Sequence, residues 1–293
     1  MTRTDKQGNV SGISPTRKVG PPKTQDHQAT YVLVHGAWHG SWCWKGVRKS
    51  LQDAGHQVFT PTLTGLGERS HLSSAAVNLS THISDVVNLL RWEDLSDVIL
   101  CGHSYGGSVI TGAADRIPER IRALVYLDAF VPEDGECLFD LAPEHAQHMR
   151  LQAETVGDGW SVPPIPAERF NVNPGDATWV DAQCTSQSIA SFEEHIRLNR
   201  VASHTHDATY ILATGWDDSP FAVAHERAKA KGWKTRTVTC GHEVMLDLPG
   251  ELTDLLLEFV TSAVPSSLMT VATGSSHSRR SSASVDPKQI QST

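Results

Sequence analysis

The sequence lacks any run approaching the roughly 18 consecutive apolar residues of a membrane-spanning helix, so no span is expected. Its first residues, MTRTDKQGNVSGISPTRKVGPPK, are without the apolar core of a secretory signal. Cysteine is scarce. The five residues Cys43, Cys101, Cys137, Cys184 and Cys240 are scattered, odd in number, and show neither zinc-ligand spacing nor a disulfide framework. Reduced thiols in a cytoplasmic protein are the expectation. An excess of basic charge is also missing: Lys plus Arg number 25 against 33 Asp plus Glu, a net charge of −8. That leaves no basic face for a nucleic-acid partner, and mild acidity simply aids solubility.

What is present is an alternation of two periodicities over 293 residues. Short β-branched runs are expected as strands at 30–36, 56–61, 97–102, 123–128, 208–215 and 234–240. Amphipathic stretches at 44–55, 81–93, 104–117 and 249–264 have helical spacing. Strands alternating with helices imply a mostly parallel central sheet flanked by helices on both faces, with the site at the strands' C-terminal ends. Residues 132 to about 206 break the rhythm. They carry PEDGE, VPPIP and NPGD breakers, a helical piece expected at 188–200, and enough large apolar side chains to form an ordered helical cap insertion. The domain is therefore expected over 29–264, between a disordered tail at 1–28 and a Ser-rich one at 265–293, both too poor in apolar residues to offset chain entropy.

Chemistry concentrates in a few places. Gly102-His103-Ser104-Tyr105-Gly106 is weak evidence as a bare pattern, but it follows the apolar strand DVILC and opens a helix. A serine on that sharp turn stands above the sheet edge as a nucleophile, and the flanking glycines avoid a collision across the turn. A serine hydroxyl needs a base. His242, in the GHE segment between the last strand and the last helix, stands where that base belongs. The tetrahedral intermediate needs two N–H donors: that of Tyr105, and that of Ala37 in the loop His35-Gly36-Ala37-Trp38-His39-Gly40. His35 reads as a brace for this loop. Two strand ends offer the acid, Asp128 after ALVYL and Asp217 after ATYILATGW. Asp128 is preferred, with Asp217 as the alternative, because it ends an apolar strand and a buried carboxylate requires a partner.

The segments YVLVHGAWHGSWCW, TPTLTGLGERSHL, WEDLSDVILCGHSYGG, YLDAFVPEDG and the late GHE resemble the α/β hydrolases that include plant methylesterases and hydroxynitrile lyases, and most closely the bacterial-type esterases among them. The resemblance spans about residues 30 to 264. It implies the α/β-hydrolase fold, catalytic Ser104 and His242, an oxyanion hole from Ala37 and Tyr105, and no metal or organic cofactor. The plant relatives place the acid after the later strand, where Asp217 lies; the stretch LDAFVP resembles haloalkane dehalogenases, some of which place it at the Asp128 position. The lyases carry a Thr after the HG-loop histidine and a Lys after the catalytic His, and this chain has Gly36 and Glu243 there.

The expected function is hydrolysis of a carboxylic ester, a small molecule with hydrophobic or aryl groups, through an acyl-enzyme. Trp38, Trp160 and Trp179 are the expected substrate-binding residues. Hydroxynitrile lyase or C–C bond hydrolase chemistry, or a slow-turnover ligand receptor, are the alternatives.

Overall fold

The computed structural model describes residues 28–199, 207–216 and 219–261. Apart from Gln28, the two expected tails lie outside the described residues. Strand β1 (Thr30–Val34) leads through a 3₁₀ turn to α1 (Lys45–Asp53) and β2 (Gln57–Phe59). Then come α2 (Leu79–Trp92), β3 (Val98–Ser104), α3 (Gly106–Arg116) and β4 (Ile121–Ala129). The region after β4 holds α4 (Leu138–Leu141), α5 (Pro143–Thr155), β5 (Ser161–Val162), α6 (Pro174–Gln183), β6 (Gln187–Ser188) and α7 (Ala190–Glu193). The sheet resumes with β7 (Asp207–Ala213), α8 (Phe221–Ala230) and β8 (Lys234–Val238), and the described chain closes with α9 (Val244–Asp247) and α10 (Pro249–Thr261).

Six strands form one sheet in the order β2-β1-β3-β4-β7-β8, every pairing parallel. Strand side chains alternate between its two faces. Val32 and Val34 join a core with Ile83, Val86 and Leu90 of α2 and Val109 and Ile110 of α3. Tyr31 and Leu33 join the opposite core with Val47 and Leu51 of α1 and Leu252 and Leu256 of α10. Helix α2 begins where Asn78 and Thr81 form a reciprocal capping box. The chain runs from β1 outward to β2, then back across β1 to β3. The connections after β1 and β3 thus leave in opposite directions and open a crevice between their C-terminal ends.

The expected strands and helices of the sheet form, with ends shifted by a few residues. The inserted region differs from expectation in two respects. A two-stranded antiparallel pair, β5 with β6, accompanies its helices. The helix expected at 188–200 reaches only from Ala190 to Glu193. Beyond it the backbone finds partners elsewhere: Ile196 N–H donates to Glu136 O at 2.9 Å, Gly135 N–H donates to Ile196 O at 2.9 Å, and Leu198 N–H donates to Asp134. Those bonds tie the segment to the loop after β4 and replace the helical ones. Arg200 lies outside the described residues.

Tyr210 on β7 reaches across to the end of β4. Its hydroxyl donates to Ala129 O at 2.8 Å and accepts from Ala129 N–H at 3.0 Å, all of it buried. Tyr210→Phe leaves both backbone groups without that partner, so it is expected to cost about 1–3 kcal/mol. Urea unfolding of the two proteins measures this, and an unchanged midpoint would refute the bridging role.

Candidate active site

Ser104 is the last residue of β3, and its φ of 54° lies in the left-handed region that non-glycine residues adopt only under constraint. The constraint is close packing. A Cβ built on Gly102 would stand 2.5 Å from Gly106 O, and one on Gly106 would stand 2.7 Å from His35 O. The loop after β1 lies directly against this turn: a Cβ on Gly36 would meet Ser104 Cβ and His103 Nδ1, each at 2.9 Å. The β1 loop and the serine turn therefore share one confined space at the crevice.

The β1 loop is held by its own histidines. His35, fully buried, donates from Nδ1 to Gly36 O at 2.8 Å, and its Nε2 accepts from Leu63 N–H at 3.0 Å. Burial lowers its pKa to about 3, so it stays neutral and keeps this tautomer. His39 Nδ1 bonds Ala37 O at 2.7 Å. Trp38 has φ 63°; its N–H donates to Gln187 Oε1 at 2.9 Å and its indole N–H to Val162 O at 3.1 Å. Among the described residues, the N–H groups of Ala37 and Tyr105 donate to no acceptor. The Tyr105 phenol is fixed at 2.8 Å from His82 Nδ1 on α2.

His242 and Asp128 meet at the same end of the sheet. Asp128, with none of its surface exposed, sits one residue before the end of β4 with φ 40°. Its Oδ2 accepts from His242 Nδ1 at 2.7 Å, and its Oδ1 from Ala213 N–H at 3.1 Å at the end of β7. Burial pushes the Asp128 carboxyl pKa up, and the His242 contact opposes that shift. With Nδ1 committed to a carboxylate, Nε2 of a neutral His242 carries the lone pair. Phe221 stacks on the His242 ring with centroids 4.9 Å apart, Trp216 lies at 5.0 Å, Phe170 at 5.3 Å and His103 at 4.3 Å. The His242 backbone is pinned as well. Its N–H donates to Phe170 O at 2.9 Å, and its carbonyl accepts from His103 Nε2 at 3.0 Å. His103 is held neutral by burial.

Ser104, Ala37, Tyr105, His242 and Asp128 thus occupy the ends of β1, β3 and β4 and the loop after β8. Asp217, the other acid considered, lies outside the described residues. Trp38 is buried against Phe170 and Phe192. Trp160 is half-buried next to β5. Trp179 is 44% exposed and makes edge contact with Trp42, which stacks on His39. The sequence reading missed His103, Phe170, Phe221, Trp216 and Gln187. Only His103 carries a local signal, as the residue before the serine on a buried strand. Glu243, adjoining His242, is buried and lies 3.3 Å from His39 Nε2. His103, His242 and Glu243 also form one of two groups with metal-ligand side chains among the described residues; the other is Cys137, Asp140 and His195. In the first, His103 Nε2 and His242 Nδ1 are already committed to hydrogen bonds.

Residues 31–255 match the model of the alpha/beta hydrolase family. The chain belongs to that family. It is 47% identical over 238 residues to the carbendazim hydrolyzing esterase of Nocardioides sp. (strain SG-4G), a match covering 78% of this chain and 98% of the relative. Methylesterase 1 of Arabidopsis thaliana is 35% identical over 105 residues, covering 35% of this chain and 40% of that protein. An extracellular alpha/beta-hydrolase from a Paenibacillus species has the same fold, with a TM-score of 0.68 and 24% identity over 78% of this chain and 98% of that one. The chain is therefore a hydrolase with esterases among its relatives. Among the described residues, no helix is long and apolar enough to cross a membrane.

The serine turn yields a prediction of its own. Because the atom a Gly102 side chain would strike is a backbone carbonyl, it cannot swing aside. Gly102→Ala is expected to destabilise the fold by at least about 1–3 kcal/mol. Denaturant unfolding measures this, and wild-type stability in the variant would show that the turn has room to spare.

Proposed function

We propose that this chain is a serine esterase that works through an acyl-enzyme, with Ser104, His242 and Asp128 as its catalytic residues. The observation that carries the reading is the buried 2.7 Å contact from His242 Nδ1 to Asp128 at the same sheet edge as Ser104. It fixes the histidine tautomer that a general base requires. Ser104 Oγ attacks the ester carbonyl carbon as His242 Nε2 takes its proton. The carbonyl oxygen becomes an oxyanion, held by the N–H groups of Ala37 and Tyr105. Collapse breaks the carbon–oxygen bond to the alcohol, which leaves with the proton from His242. Water, deprotonated by His242, then attacks the acyl carbon; the bond to Ser104 Oγ breaks, Oγ takes the proton back from His242, and the acid departs.

Asp128 has a definite role in this sequence. As His242 gains a proton, the ring becomes a cation in a site with little water, and the adjacent carboxylate stabilises it. An asparagine in its place keeps the shape and removes that charge.

The substrate follows from the walls. Phe170, Trp216 and Phe221 surround His242, Trp38 packs on Phe170, and an aromatic lining favours hydrophobic or aryl esters. Carbendazim is the first compound to assay, given the relative named as its hydrolyzing esterase. Selectivity comes from the inserted region, through Trp160 and Trp179, together with Trp38 of the β1 loop. The five cysteines are all unpaired, which supports work in the cytoplasm.

Ser104→Ala is expected to lower kcat by on the order of 10⁶, and Asp128→Asn by on the order of 10⁴ with the fold intact. A fluorophosphonate should label wild-type protein on the peptide containing Ser104, read by mass spectrometry. Labelling elsewhere, or full activity in the alanine variant, would remove Ser104 from the mechanism. Across p-nitrophenyl, methyl and aryl esters beside carbendazim, Trp160→Ala should change relative kcat/KM more than thermal stability. A uniform loss tracking the melting temperature would make Trp160 a packing residue alone.

A further inference from the structure

The β1 loop presents a problem that its own residues do not solve. Trp38 holds φ 63°, a conformation that costs a bulky side chain about 1–3 kcal/mol and persists only when neighbours enforce it. The peptide joining Ala37 to Trp38 could relax by rotating about its flanking bonds. That rotation would swing the Ala37 backbone, whose N–H has no acceptor among the described residues. The preceding peptide, Gly36 to Ala37, is anchored at its carbonyl by His35. A peptide is planar, so fixing that carbonyl aims the N–H at its other end.

The next peptide is held at both ends. His39 binds Ala37 O at 2.7 Å, and the Trp38 N–H donates to Gln187 Oε1 at 2.9 Å. Gln187 lies 149 residues further along the chain, in the inserted region, and only 1% of its surface is exposed. Its orientation is settled by its second bond. Nε2 donates to Ser191 Oγ at 2.8 Å, and Ser191 Oγ in turn donates to Ser188 O at 2.7 Å. The amide oxygen must therefore face Trp38. Two residues before Gln187, Thr185 N–H donates to Trp38 O at 2.9 Å. The segment 185–187 thus grips Trp38 at its N–H and at its carbonyl, much as a neighbouring strand would.

We propose that Gln187 is a positioning residue for the reaction: it locks the Ala37–Trp38 peptide and so holds the Ala37 N–H where the oxyanion forms. The inference rests on the serine-esterase reading above. The inserted region then does more than shape a pocket, because it completes the loop that stabilises the transition state. Preorganisation of this kind affects the charged transition state far more than the neutral ester.

The experiment compares the full-length wild-type protein with Gln187→Met, which keeps length and apolar volume and removes the acceptor. Steady-state hydrolysis of a p-nitrophenyl ester is measured beside inhibition by an aryl trifluoromethyl ketone, whose serine adduct carries an oxyanion, and by the carboxylic acid product. The expected result is a fall in kcat of about 10–100-fold with KM within about twofold. The trifluoromethyl ketone should weaken by the same factor as kcat/KM, while product binding stays unchanged. Equal kcat and equal ketone affinity in the two proteins would overturn the proposal. So would parallel weakening of ketone and product, which would mean general loss of the site. Should Gln187→Met fail to fold, Ser191→Ala replaces it. That variant frees the Gln187 amide to turn, and a kcat loss of a few-fold with unchanged product binding is expected; wild-type kcat there would count against the proposal. Failure of the underlying reading looks different, since wild-type protein would then form no ketone adduct at Ser104.

Discussion

A carboxylate with no exposed surface organises one end of this molecule. Removing Asp128 from water is costly, and the cost falls only if donors surround its oxygens. Two donors do so from different parts of the chain: Ala213 N–H at the end of β7, and His242 Nδ1 in the loop after β8. Tyr210 secures the very next residue by bonding both backbone groups of Ala129. The positive φ at Asp128 fits this picture. The backbone leaves its strand geometry there to turn the carboxylate toward the histidine, and the surrounding hydrogen bonds offset the strain. The order of strands in the sheet is what makes the convergence possible, because β4 lies between β3, which carries Ser104, and β7.

Much of this frame is legible in the sequence because it is written in local periodicities. Tyr31 and Leu33 alternate with Val32 and Val34, and the structure divides them between the two cores in that way. The strand–glycine–helix context of Ser104 likewise contains its own steric reason, and the Gly102 to Gly106 approach is that reason in ångströms. The inserted region is far less legible. A pair of two-residue strands leaves no periodic signature. SIASFEEHIRLNR has helical spacing, yet its second half bonds to the loop after β4, a tertiary preference that outweighs local propensity. Gln187 is invisible for the same reason. Nothing in its neighbourhood in sequence marks a residue whose partner, Trp38, is 149 positions away.

His242 also depends on what packs around it. Its imidazole is enclosed by Phe221, Trp216, Phe170 and His103. An enclosed ring keeps one orientation, so Nε2 holds its direction. The enclosure also draws on several parts of the chain: Phe170 belongs to the inserted region, Trp216 follows β7, Phe221 opens α8, and His103 belongs to β3. Because Phe170 O accepts the His242 N–H as well, displacing the inserted region moves the histidine backbone along with its surroundings.

That coupling extends to the other half of the site. Phe192, fully buried, places its ring 5.7 Å from Trp38 and 5.7 Å from Tyr105, and it also meets Phe139 at 6.1 Å. Trp38 follows the first proposed oxyanion donor, and Tyr105 carries the second. One aromatic side chain of the inserted region therefore touches the residues that fix both. In a close-packed interior, a change of volume at such a point is transmitted and is not absorbed locally. The two proposed oxyanion donors and the inserted region cannot then vary independently. A smaller side chain at Phe192 therefore loosens Trp38 and Tyr105 together.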